Sequence, residues 1–139
     1  MLLVCVTATL AGYVLAKKQF IGSKQVFWLL IAAMSLPKQV ILIPLVQLVA
    51  SWGFANTLYA CILPAVGWPF GIFLMKQFSQ TLPSELLEAA KIDGYGEFKT
   101  FLNIVVPLVK PGIGALAIFT FISSWNDYFS HHYIFFKLF

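Results

Sequence analysis

The chain has 139 residues, of which 60% are hydrophobic and 10% charged, where a soluble domain carries about 25% charged residues. With 14 Phe and a mean hydropathy of +0.89, the chain has more apolar surface than one small core can hide. That excludes a soluble globular protein and makes lipid the solvent for most of the chain.

All nine basic residues are Lys, so neither a bidentate Arg clamp for phosphate nor an Arg-rich nucleic-acid surface is available, and no nucleic-acid partner is expected. The net charge of +4 reads instead as membrane topology. Cys5 and Cys61 both lie in apolar runs, without CxxC or Cys/His spacing, and read as packing residues.

From Met1 to Ala16 the chain is almost wholly apolar and ends on Lys17 and Lys18. A secretory signal carries its charge before the apolar run, so this order argues against one. Sixteen helical residues reach about 24 Å, short of a hydrocarbon core of about 30 Å, and the run reads as part of a span. Val26 to Ala50 is interrupted by Pro37, Lys38 and Gln39, with a second proline at Pro44. It is expected either to make one kinked crossing or to place its second half along the outer interface, with Lys38 near the outer face or a wet cavity. Leu58 to Met75 is a further crossing, irregular because of Pro64, Gly67, Pro69 and Gly71. The Gly67-x-x-x-Gly71 spacing offers one face to a neighbouring helix. The last apolar stretch, Ile104 to Trp125, becomes uninterrupted after Gly112 and can cross once.

Between these two crossings, residues 78–103 hold Glu85, Glu88, Asp93 and Glu97, four of the five acids. This segment belongs in water or against a polar partner. Lys17, Lys18, Lys24, Lys76, Lys91, Lys99 and Lys110 fall on the acidic loop's side of the bilayer, against Lys38 and Lys137 on the other. That bias places the loop in the cytoplasm. Pro83 suits a first helical turn and Gly94 a left-handed stop, which predicts a helix of about ten residues between them. Glu85 lies near its positive end. Its mixed faces lack the basic character of a membrane-surface helix, while Ala89 and Ala90 let another protein approach closely. A second amphipathic piece, Glu97 to Val106, leads through Pro107 into the membrane.

Glu88-Ala-Ala90, three residues, Gly94, nine residues and then Ile104-Val-Val-Pro107 resembles the EAA loop of binding-protein-dependent ABC importer permeases, with Val106 where the family usually has Leu. Leu36-Pro-Lys-Gln-Val-Ile-Leu-Ile-Pro44, Gly71-Ile-Phe-Leu-Met-Lys-Gln-Phe78, Ile92-Asp-Gly94 and Ser124-Trp-Asn-Asp127 resemble the carbohydrate-uptake branch, specifically the maltose-permease-like second membrane subunit. The resemblance extends over most of residues 7 to 128. It implies an all-α, polytopic transmembrane helical bundle of the type I importer kind, a single permease domain over 1–139, incomplete, with the coupling loop at 78–103. It further implies that Glu85, Glu88, Ala89, Ala90, Asp93, Gly94, Ile104 and Pro107 serve ATPase coupling, the helix around Glu88 sitting in a cleft of a separate ATPase subunit. The implied partners are ABC ATPase subunits, a second homologous permease and an extracytoplasmic solute-binding protein, in the plasma (inner) membrane.

No Walker-type GxxxxGK[ST] occurs, so ATP hydrolysis is expected from a partner, and the chain is not expected to be an enzyme or to hold a cofactor or metal. His131 and His132 are adjacent and share no helical face as paired ligands would; an interfacial position is expected. Asn126 and Asp127, following an interfacial Trp125, are candidates for the translocation path of a polyhydroxylated cargo or for capping the helix end. Gln47, Ser51, Asn56 and Ser123 are similarly open. Past Asp127 the resemblance fades and the family's first and sixth spans are not found, so a truncated or partial chain is expected. Two further readings are a permease of the same superfamily for amino acids, phosphate or peptides, and a non-transporting membrane scaffold.

Overall fold

Lipid offers a polypeptide backbone no hydrogen-bond partner, so a long apolar run must satisfy its own amides, and a helix does so within one segment. The computed structural model describes residues 1–18, 20–55 and 57–127, and the expectations for Asn56, His131 and His132 lie outside these. In chain order its elements are α1 (Leu2–Lys17), α2 (Ser23–Met34), α3 (Lys38–Ser51), α4 (Leu58–Val66) and α5 (Pro69–Gln80). They continue with α6 (Ser84–Ile92), α7 (Glu97–Thr100), a π-helical turn (Phe101–Val105), α8 (Val106–Leu108) and α9 (Lys110–Asn126). No strand occurs among the described residues, in keeping with the expected all-α class.

The core forms where α1 lies along α5 and α9 closes over both, through Cys5, Ala8, Tyr13, Met75 and Leu116. Phe101, Val105 and Val109 carry the same core down to the acidic loop. Gly12 sets the spacing, since a Cβ there would come within 2.7 Å of the Lys76 amide nitrogen and of Met75. Only a bare backbone lets α1 and α5 approach this closely. In a bilayer such contacts are stabilised by dispersion and shape rather than by removal from water. The faces away from the core are apolar too: Leu2, Val6 and Leu10 on α1, and Ile118, Phe121, Ile122 and Trp125 on α9, are all exposed. This is the pattern expected of lipid-facing helices.

The expected breaks in the apolar runs take definite shape in the structure. The Val26–Ala50 stretch divides into α2 and α3, which meet at 106° across Ser35–Pro37. Pro37 disfavours helix at the residue before it, so the turn falls there, while Pro44 is accommodated inside α3. The turn is compatible with a broken span or a re-entrant course. The apolar stretch expected from Ile104 to Trp125 is likewise divided, by a 76° turn at Val109, and α9 starts at Lys110. The ring of Pro111 has no amide to donate and crowds the carbonyl four residues back, which favours a break between α8 and α9.

The irregular crossing expected from Leu58 to Met75 extends to Gln80 as a 23-residue apolar stretch, long enough to cross with some tilt and interrupted between α4 and α5. One expectation changes: Gly67 and Gly71 do not form one docking patch. Gly71 faces Leu116 and Ala8 within the chain, and Gly67 faces open space.

Candidate functional site

The acidic loop folds around α6. Pro83 is extended at its N-cap, Glu85 stands in the first turn and Lys91 in the last, so both ends complement the helix dipole. At the other end Gly94 has φ +76°. Its N–H donates to the Lys91 carbonyl at 3.1 Å, and the Tyr95 N–H donates to the Ala90 carbonyl at 2.9 Å. These two bonds form a Schellman stop, which requires a left-handed residue at the glycine. Glu85, Glu88, Ala89, Asp93 and Gly94 are exposed, as are Leu86 and Ile92. Ala90, by contrast, is 3% exposed and packs inward, so close approach from outside rests on Ala89 alone.

Behind α6 lies the end of α1. Ser84, Leu87, Glu88 and Lys91, spaced as one helical face, look across a polar cavity of about 180 Å³ toward Tyr13, Lys17 and Lys18, with Glu97 and Thr100 completing the wall. Lys17 Nζ donates to the Leu82 carbonyl at 2.5 Å. Lys18 forms an ion pair with Glu97. The hydrogen bond from Lys18 holds the Glu97 carboxyl below its ordinary value; burial opposes this, and the charges of Lys18 and Lys91 reinforce it. The Tyr13 and Phe101 rings meet at 5.5 Å, just where the backbone opens into the π turn. Lys99 Nζ lies 4.4 Å from the centre of the Tyr95 ring. Ile104 is half-buried on this segment and Pro107 exposed near its end.

The opposite end of the molecule is built differently. The α2–α3 turn, α4 and the ends of α1 and α9 enclose a mostly apolar cavity of about 1110 Å³, with Lys38, Ser123, Ser124 and Asp127 among its lining. Lys38 borders this cavity, with Nζ 4.0 Å from Asp127 Oδ2. The Asn126 amide instead donates to the Ile122 carbonyl of its own helix at 3.0 Å. The two polar residues after Trp125 therefore differ: one bonds back into its own helix, the other lines the cavity.

The sequence profile of the family described as "Binding-protein-dependent transport system inner membrane component" matches residues 8–138. The chain belongs to this family. It is 36% identical, over 87% of its length, to an arabinooligosaccharides transport system permease protein of Halalkalibacterium halodurans. It is 32% identical, over 92%, to a diacetylchitobiose uptake system permease protein of Streptomyces coelicolor. With an sn-glycerol-3-phosphate transport system permease protein of Yersinia enterocolitica it shares 38% identity over 86% of its length. The chain spans 43%, 43% and 42% of these three relatives, respectively. The family is one of transport components rather than of enzymes, and its description places its members in the inner membrane.

In this permease-family chain the structure gathers Glu85, Glu88, Ala89, Asp93 and Gly94 on one short helix and its stop. Ile104 and Pro107 lie on the following segment, beyond Phe101. Sequence reasoning passed over the residues that hold this helix from behind, namely Tyr13, Lys17, Lys18, Leu82 and Thr100. The signal available was the Lys17-Lys18 pair at the end of an apolar helix, on the same side of the membrane as Glu97. It identifies the sign of the charges but not the partner of each.

Proposed function

We propose that this chain is part of the membrane-spanning permease of an ATP-driven importer for sugars and related polyhydroxylated solutes. Residues 78–103 are its cytoplasmic coupling loop, within a single permease domain. The observation that carries the reading is α6 itself: an exposed, acid-bearing helix between two apolar elements, ended by a left-handed glycine, within a chain of the binding-protein-dependent family. Seven lysines on the loop's side support its cytoplasmic placement. Glu88 offers a carboxylate to a basic or backbone donor, Ala89 admits a close surface, and Gly94 makes the sharp exit that keeps the helix end free for docking. The partners of the assembly are two ATPase subunits, a homologous permease and an extracytoplasmic solute-binding protein. Asp127, at the edge of the larger cavity, belongs to the solute's route. Two of the relatives are named for oligosaccharide cargoes and one for a phosphorylated polyol. The last favours, as a second reading, a cargo that carries phosphate.

The test is co-purification of the ATPase with the permease assembly containing this chain. Glu88→Lys or Gly94→Asp is expected to weaken the association. Unchanged association and unchanged transport in both variants would remove the coupling role of α6.

A further inference from the structure

The inner face of α6 borders a polar cavity in front of α1; Leu87 packs at its edge against the core that holds Tyr13, Leu82 and Phe101, and the open part of the gap transmits little force by contact. Further contact with α1 is made at the two flanks of α6. Before α6, Lys17 Nζ holds the Leu82 carbonyl; after it, Lys18 pairs with Glu97, and Tyr13 supports Phe101 a turn further on. Two consecutive lysines reach opposite flanks because the chain changes conformation between them. Lys17 is the last residue of α1, whereas Lys18 is extended, with φ −102° and ψ 122°. Beyond Glu97 the second flank is anchored by Phe101, Val105 and Val109 in the core, after which the chain makes the 76° turn at Val109 into α9. Glu97 itself stands outside that packed stretch, exposed, and Lys18 is the side chain that binds it to the end of α1.

We propose that Lys17 and Lys18 are positioning residues that tie both flanks of α6 to the end of α1, so that a displacement of α6 is delivered to this first helix as well as to α5 and α9. The delivery rests on the importer reading above, which supplies the ATPase that moves α6; the tie is a property of this chain alone. Thr100, 4% exposed and with its hydroxyl unpartnered, borders the cavity between the two ties. The space behind α6 is therefore polar, and the two ties act together with the Leu87 contact in setting its width.

The test uses the full chain in lipid nanodiscs, with spin labels at Leu10 and Ala89, both exposed positions. The unaltered chain is expected to give a narrow distance distribution. Lys18→Glu and Glu97→Lys should each broaden it, and the double exchange should restore it, with helix content constant throughout. Lys17→Met should broaden it through the other flank. Single variants that leave the width unchanged, or an exchange that fails to restore it, would overturn the tie.

In the assembled importer the same charge reversals should lower solute moved per ATP hydrolysed by about threefold, the range of coupling changes seen for residues that touch neither ligand. The exchange should recover the ratio. An unchanged ratio beside a broadened distribution would overturn the delivery to α1. Failure of the unaltered chain to hold the ATPase would remove the importer reading, and the label widths would still decide the tie.

Discussion

The two ends of this molecule handle charge in opposite ways. At the end that carries α6, several charged side chains are engaged by the fold. Lys17 holds a carbonyl, Lys18 holds Glu97, and Glu85 and Lys91 complement a helix dipole. The space left behind the helix is about 180 Å³. At the opposite end Lys38 and Asp127 stand 4.0 Å apart on the border of a cavity of about 1110 Å³, beside a 106° break between helices. The first end places its charges at short contacts around a small gap, and the second leaves a long pair beside a large one.

Four changes would break or sharpen this contrast. The largest effect is expected from Gly12→Leu, which places side-chain atoms where the α5 backbone already lies. Overpacking of this kind costs about 3 kcal/mol or prevents the pairing. Because α1 ends on Lys17 and leads into Lys18, a fall in the detergent-unfolding midpoint should be accompanied by loss of the geometry around α6. A midpoint equal to that of the unaltered chain would show that α1 does not depend on this contact.

Gly94→Val comes next. Nothing lies within 4 Å of the position, but its φ is positive, so the expected cost is about 1–2 kcal/mol of backbone strain without a clash. Gly94→Asn should recover most of it, because Asn tolerates the left-handed region. Hydrogen exchange at the Tyr95 amide is the appropriate measurement.

Third is the Lys18–Glu97 pair. With side chains 34% and 60% exposed, it contributes about 0.2–1 kcal/mol and should weaken in high salt. Glu97 sits below its ordinary value in the folded chain, and the charges around it are Lys18 and Lys91, with Glu88 across the cavity. The contribution is therefore fully present above the ordinary glutamate value of about 4.3 and is lost as pH falls through the lowered folded value. The spin-label width should hold constant from about pH 8 to about pH 5 and broaden only below the ordinary range. Broadening that begins near neutrality would contradict the assignment to Glu97.

The smallest effect is expected from Asp127→Asn. It removes a charge from a long, partly exposed pair and should change stability by less than about 0.5 kcal/mol. A loss larger than that of Lys18→Glu would reverse the contrast between the two ends.

Much of the inner site was legible from residue types and spacing. Pro83 and Gly94 bracket α6 in the sequence because one residue lacks a useful donor and the other tolerates positive φ, and both properties are local. The placement of the helical breaks was less legible. Proline marks where a break can fall, yet Pro44 lies inside α3 while Pro37 and Pro111 accompany turns of 106° and 76°. The difference depends on whether the displaced backbone finds other partners, which is a property of neighbours. The likeness of Ala89 and Ala90 misled for a related reason: they are chemically identical, and only the rotation of α6 about its axis exposes one and buries the other.

Composition and the short-range signals were thus sufficient for class and for the bounds of α6. These rest on transfer free energies and backbone preferences, which each residue carries with it. Which lysine holds which flank, that Gly71 faces Leu116 and Ala8, and that Asn126 bonds back into its helix while Asp127 lines a cavity were decided only by tertiary structure. Those outcomes depend on distances between segments far apart in the chain, Lys18 and Glu97 among them, and a charge in the sequence specifies its sign but not its partner.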